Sequence, residues 1–430
     1  MSFIETALSE SFEYYKSRVD RDIERNRKGN FNVTVLHDGK PVPNAGVSYQ
    51  LLRHDFDFGS NIFMLDQYHD PGQQELYLTQ WKKLFNTAVV PLYWEGTEPE
   101  RGHLRYSADT PNDVYRRPPC GRVAEFCREN RIAMKGHPLF WHEFIPGWLP
   151  QDWNTLMPLI EKRFREISER YADLIPVFDC VNEPSRLFDQ HFESQKNNVH
   201  YVFPPEDYIE QIFALARKYF KNNTLILNEA TGAAFCEFRG LYGGHYLLME
   251  KLLGKGVQID RIGLQCHCYD SASYKNIFHS ERLYRLLDGY AALKKPLVIS
   301  EISISEENEE LQAMAVERLY STCFSHEAVN GIFWWNLDDN GILTAPSAPG
   351  ENLPYGGLCR NGREKLSYRI LNKLINEDWH TEGETCLSGG KMSFAGFYGK
   401  YEITVSAGCK KISNTVDFKK DSSRDAVIEI

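Results

Sequence analysis

Long apolar runs are missing from this chain. No stretch approaches the roughly 18 consecutive apolar residues that a membrane-crossing helix needs, and the first residues lack a basic flank followed by an apolar core. These absences predict a soluble, cytoplasmic protein with no membrane partner. An excess of positive charge is missing too: Lys and Arg number 49 against 59 Asp and Glu, a net charge of −10. That balance argues against nucleic acid, heparin or an anionic membrane surface as a partner. No glycine-rich phosphate loop follows a strand-like run and no His-Glu-x-x-His helix is present, so no cofactor is expected.

Paired cysteine spacing is also absent. The ten cysteines (120, 127, 180, 236, 266, 268, 323, 359, 386 and 409) are scattered, and most read as reduced structural thiols. Cys266-His267-Cys268 is the one cluster that invites a metal. Alternation along a strand sends the two cysteines to one face and the histidine to the other, so no metal site is expected there. The chain has no internal repeat at a fixed period and no low-complexity tract.

What is present is 430 residues, enough for one β/α barrel of about 250 plus something smaller. Two short runs carry the chemistry. Pro176-Val-Phe-Asp-Cys-Val-Asn182-Glu183-Pro184 and Pro296-Leu-Val-Ile-Ser-Glu301 each read as a buried parallel strand that stops on a glutamate. In a barrel, chemistry sits at the C-terminal ends of the strands, so both runs would deliver a carboxylate to one mouth. Glycosidic bonds are cut by such pairs, one carboxyl protonated to release the leaving oxygen and the other ionised. The alternative is a surface acid just past each strand. The flanks favour the first reading, because an amide donor precedes Glu183 and Pro184 ends simple strand pairing.

Strand-like runs alternate with helical ones through the middle of the chain. Strands are expected over 55–62, 86–93, 131–136, 176–181, 223–228, 259–266, 296–301 and 329–335, separated by helical stretches such as 157–172, 207–220 and 311–326. This alternation predicts an α/β fold, a (β/α)8 TIM barrel over residues 54–379. Residues 1–28 place Ile4, Leu8, Phe12, Tyr15, Val19 and Ile23 at helical steps and predict one amphipathic helix packed on the rest of the chain. The runs at 32–37 and 45–52 flank Asp38-Gly39 and read as a hairpin. A hairpin alone is marginal in water, and 391–405 and 411–418 alternate in the same way. A small accessory β-module built from 29–53 and 380–430 is therefore expected, two unrelated ribbons being the alternative. The turn-rich loop after strand 8, residues 338–357, is read as shaping a cleft, with a plain connection as the alternative.

These residues resemble glycoside hydrolase family 10, the retaining β-1,4-xylanases, whose acid/base lies in an Asn-Glu-Pro after strand 4 and whose nucleophile ends strand 7. The likeness extends to Trp94-Glu95-Gly-Thr-Glu98-Pro99-Glu-Arg-Gly102, to Lys135-Gly136-His137-Pro-Leu-Phe-Trp141-His142 through Trp148, and to Gly263-Leu-Gln265-Cys-His267. The resemblance implies Glu183 as acid/base and Glu301 as nucleophile. It also implies Asn182, His137, Trp141, Gln265, His267 and Trp334 around the sugar at the cleavage point. His142, Trp148, Trp335 and Glu229 stay open, Glu229 either as a third cleft acid or as a supporting acceptor.

Three departures bear on substrate. Where the family shows Asn-x-Met-Lys to hold the second sugar on the non-reducing side, this chain has Val90-Pro91-Leu92-Tyr93, and Tyr93 joins the expected sugar-contacting set. Glu-Leu-Asp becomes Glu301-Ile302-Ser303, giving His267 a hydroxyl neighbour. After strand 8, Gly341-Ile342 stands where a serine and a second tryptophan are usual. The expectation is a retaining β-glycosidase on short xylo- or gluco-configured substrates. Xylan endo-cleavage ranks second, and a carbohydrate-binding barrel without chemistry is the alternative of another class. A carbohydrate substrate is the expected partner.

Overall fold

The computed structural model describes residues 3–186, 202–235, 243–268, 275–339, 355–408 and 410–430. Eight strands form its centre: β1 (Asp57–Asn61), β2 (Thr87–Pro91), β3 (Ala133–His137), β4 (Val177–Asn182), β5 (Thr224–Glu229), β6 (Arg261–Cys268), β7 (Leu297–Ile304) and β8 (Val329–Trp334). Each pairs in parallel with the next, and β8 pairs back onto β1 through Gly331↔Asp57 to Trp334↔Ser60. The sheet is a closed barrel with no free edge. Gly59 lets it close tightly, since a Cβ there would lie 2.2 Å from the Phe333 ring.

A helix follows every strand, as a parallel pair requires. Two of these helices show why they start where they do. Asp152 accepts from the Thr155 N–H at 2.8 Å ahead of Trp153–Tyr171, and Asn308 accepts from Glu310 and Leu311 ahead of Glu309–Ser325. Burial of Leu156, Ile160, Phe164 and Ile167 on one side of the first holds it to the barrel.

The N-terminal segment is two helices, Phe3–Glu10 and Phe12–Arg27, interrupted at Ser11. Ser11 turns its hydroxyl back on the Ala7 carbonyl at 2.8 Å, and a local bond of that kind competes with helix propagation. The pair packs on this chain's own helices. Arg18 lies over the Tyr284 ring at 3.8 Å, and Asn26 and Arg27 donate to the Ser325, His326 and Val329 carbonyls.

Strands from both chain ends form two four-stranded sheets. Lys28–His37 runs antiparallel to Lys391–Phe397 and parallel to Asp425–Glu429. Gly46–His54 lies in the other sheet, with Glu382–Cys386, Gly399–Ala407 and Lys410–Phe418. The hairpin expected from 32–37 and 45–52 is therefore corrected: Asp38-Gly39 turns only into the two-residue strand Lys40–Pro41, and the chain then crosses to the second sheet. Each run has one apolar face, and the two faces meet across a sandwich instead of side by side. Phe31 stacks on Phe418 at 4.3 Å, and Tyr49 on Phe394 at 4.0 Å.

Candidate active site

Alternation along the strands decides which side chains enter the barrel mouth. On β6, Ile262, Leu264, Cys266 and Cys268 pack into the outer core, so Gly263, Gln265 and His267 face inward. The Cys266 and Cys268 sulfurs lie 3.6 Å apart on the outer face, away from the histidine. The pairing of β7 shifts between Ile299 and Ile302, where Glu301 enters the mouth although its neighbour Ile302 stays in the outer core.

Three polar side chains converge on Glu301. Asn228 and Gln265 give side-chain N–H bonds to Oε1 at 2.9 and 3.1 Å, and His267 Nε2 lies 3.2 Å from Oε2. An ionised carboxylate is acceptor-only, and this arrangement matches that need. The same two amides also reach Asn182 Oδ1, at 2.8 and 3.3 Å. The residue before Glu183 is thus one donor away from Glu301. Asn228 fits there because residue 263 is glycine; a Cβ at that position would lie 2.4 Å from Asn228 Oδ1.

His137 approaches from the other side, with Nε2 3.9 Å from Glu301 Oε1. Its Nδ1 lies 2.7 Å from Asp179 Oδ2, which also takes the Lys135 ammonium at 2.6 Å. Burial raises the Asp179 carboxyl, but the Lys135 charge and the His137 bond outweigh it and hold the group below its ordinary value. The pair fixes the imidazole. His267 is held differently: its Nδ1 is 3.1 Å from Ser303 Oγ, which also bonds the Trp335 carbonyl.

Glu183 is buried just past β4 in the left-handed region at φ 50°, and its N–H donates to the Asn228 carbonyl at 2.8 Å. Glu229 is on the outer face of β5 with Leu225 and Leu227, which decides between its two readings. It is no cleft acid. It accepts from the backbone of Ala230 and Ser185 at 2.7 and 3.1 Å, tying the turn after Glu183 to β5. Burial pushes its carboxyl up to about 8.

Trp334 requires a correction. It faces outward, fully buried near Tyr320, with its indole N–H on the Asn336 carbonyl at 3.0 Å. Its neighbour Trp335 faces the mouth, edge-on to His137 at 5.5 Å and to Phe63 at 5.3 Å. Tyr93 and Trp141 are brought into the same cluster; the Tyr93 ring is 5.4 Å from His137 and 6.1 Å from Trp141. Among the described residues, the buried Trp141 indole N–H has no hydrogen-bond partner. Trp148 instead braces the Glu98 turn, donating to its carbonyl at 3.0 Å, and His142 is buried with its carbonyl holding Val202. Of the loop after strand 8, residues 340–354, including Gly341 and Ile342, lie outside the described residues.

Sequence reasoning missed Asn228, Asp179 and Lys135 as site members. A signal existed. Asp179 and Lys135 are opposite charges inside otherwise apolar runs on neighbouring strands, and a buried charge needs a partner. No helix among the described residues is long and apolar enough to cross a membrane.

Comparison with known proteins fits this geometry. Anti-sigma-I factor RsgI6 of Acetivibrio thermocellus is 28% identical over 406 residues, covering 92% of this chain and 47% of that protein. Endo-1,4-beta-xylanase 2 of Arabidopsis thaliana is 24% identical over 425 residues, covering 96% of this chain and 36% of its own length. The chain thus spans less than half of either relative. Among solved structures, xylanase 10B of Thermotoga petrophila in complex with xylobiose shares the fold at a TM-score of 0.57. It is 21% identical, with 75% of this chain and 94% of that one covered. The family model for glycosyl hydrolase family 10 matches residues 59–361. That span takes in both strand-end glutamates and most of the closed barrel, and on it the chain belongs to glycosyl hydrolase family 10.

Proposed function

We propose that this chain is a retaining β-glycoside hydrolase acting on short xylo- or gluco-configured oligosaccharides or glycosides. The observation that carries the reading is the shared amide pair: Asn228 and Gln265 each touch both Asn182 and Glu301. In the first step a Glu301 oxygen bonds the anomeric carbon as the bond to the leaving oxygen breaks, and the Glu183 proton passes to that oxygen. In the second, water attacks the same carbon, its proton returns to Glu183, and Glu301 is released. Asn182 is suited to meet the sugar 2-hydroxyl, and the Trp141 indole N–H, without a partner among the described residues, is suited to donate to a second hydroxyl.

Glu183→Gln is expected to lower kcat by about 10²- to 10⁴-fold on glycosides with poor leaving groups, and far less on a dinitrophenyl glycoside that departs unaided. Glu301→Ala should remove turnover on both while ligand binding survives. Equal losses on both leaving groups in the Glu183 variant would speak against it as the acid. Product anomers read by NMR separate retention from inversion. Xylan endo-cleavage is the second reading, favoured by the xylanase named among the relatives.

A further inference from the structure

The loop after β2, from Glu98 to Pro119, contains neither helix nor strand, yet side chains lock it. Arg105 donates to the carbonyls of Gly96, Pro111 and Arg117 at 2.6, 2.9 and 3.2 Å. Asn112 donates to the carbonyls of Leu65 and Asp66, both at 3.1 Å. Such a loop holds its end in one place. What it holds is a pair of arginines, 116 and 117, that are 1% and 6% exposed.

Both arginines reach the mouth. Arg116 donates to Asn336, the residue after Trp335. The Arg117 guanidinium stacks on Tyr93, 3.7 Å from the ring centre, and a Cβ at Gly96 would come within 3.0 Å of its Cγ. Tyr93 in turn sits against His137, whose Nε2 is 3.9 Å from Glu301. Arg117 is thus three contacts from the nucleophile. Glu183 follows β4, and an acid that protonates the leaving oxygen puts the leaving group on its own side. The retained sugar then extends toward the opposite sector of the eight-stranded ring, β8 to β2, where Trp335, Asn336 and Tyr93 lie.

We propose that Arg117, stacked on Tyr93 and backed by Arg116, is the end wall of the site on the retained-sugar side. The site is then a pocket for one terminal sugar, and the enzyme removes single residues from the non-reducing end. This rests on the hydrolase reading above. The test uses the full chain on nitrophenyl β-xyloside, β-glucoside, β-xylobioside and β-cellobioside, and on reducing-end-labelled xylotetraose and cellotetraose. Wild-type protein should release only monosaccharide from the labelled tetramers at early times. It should also hydrolyse the better monosaccharide glycoside at least about tenfold more efficiently than it releases nitrophenol from the matching disaccharide glycoside. Arg117→Ala should raise the disaccharide-to-monosaccharide ratio of kcat/KM at least tenfold, and Arg117→Lys should raise it less. Internal cleavage or initial disaccharide release by the wild type overturns the wall whatever the variants do. No turnover of any of the substrates overturns the hydrolase reading instead.

Discussion

Glu229 and the adjacent pair Trp334 and Trp335 each make a claim that one side chain can test. Glu229 is fully buried, and burial outweighs its hydrogen bonds from Ala230 and Ser185, so its carboxyl keeps a proton to about 8 in the folded chain. In the unfolded chain that proton leaves near the ordinary value of 4.5. Between those limits the folded state binds more protons, so this group makes stability fall as pH rises, by up to ~1.4 kcal/mol per pH unit. Glu229→Gln removes the titration while keeping the side chain's size; its single amide oxygen can still accept from one of the two N–H groups, which the carboxylate takes on separate oxygens. Urea midpoints taken from pH 5 to 8 should slope downward in the wild type relative to the variant; parallel slopes would sink the assignment. The tryptophans separate by face. Trp334→Phe should lose about 1 kcal/mol of stability with its bond to Asn336, with kcat/KM per folded molecule within twofold of wild type. Trp335→Ala should lower kcat/KM on an aryl glycoside at least fivefold, since it is this ring that borders His137. The reverse ranking, by kinetics and urea denaturation on the same samples, would return the site to Trp334.

At the scale of elements, the eight strands were legible because a parallel strand covered on both faces is a continuous apolar run, and here several runs end on Asn, Glu or His. That same two-sided burial hides the facing of each residue. Ile332, Phe333, Trp334 and Trp335 are all buried, so hydropathy offers no alternation to say which tryptophan turns inward. The β6 run was readable on this point because a histidine sits between cysteines, and the order of polarity reveals the faces. Asn228 was passed over because the charged Glu229 beside it drew the chemistry, although the strand turns the amide in and the acid out. The loop from Glu98 to Pro119 was illegible for another reason. Its shape comes from side chains of Arg105 and Asn112 bonding distant carbonyls, and no periodicity encodes such contacts. The interruption at Ser11 belongs to the same class, a local hydroxyl bond inside a helical pattern.

For the whole molecule the question is whether the terminal sheets and the barrel are one cooperative unit, and a single ring cluster decides it. Phe324, on the helix after β7, stacks on Trp379 at 4.3 Å and lies 5.0 Å from Phe56 and 5.4 Å from Phe58 of β1. It also lies 5.9 and 6.1 Å from His54 and Phe397, which belong to different terminal sheets. One ring thus touches both sheets and the barrel, and aromatic pairs contribute beyond their buried area. Phe324→Ala should cost about 3–5 kcal/mol, the usual range for a buried phenylalanine. The chain offers a clean pair of probes, because all eight tryptophans lie between 81 and 379 and none in the terminal strands. Tryptophan fluorescence follows the barrel, whereas amide exchange at 391–407 and 410–418 follows the terminal sheets. If the cluster joins them, both signals change at the same denaturant concentration in the wild type. The substitution should then lower both midpoints equally. Loss of exchange protection in the terminal strands at lower denaturant, with fluorescence unchanged, would mean that the sheets are a separate unit resting on the barrel floor. In that case the barrel could be tested for activity without them.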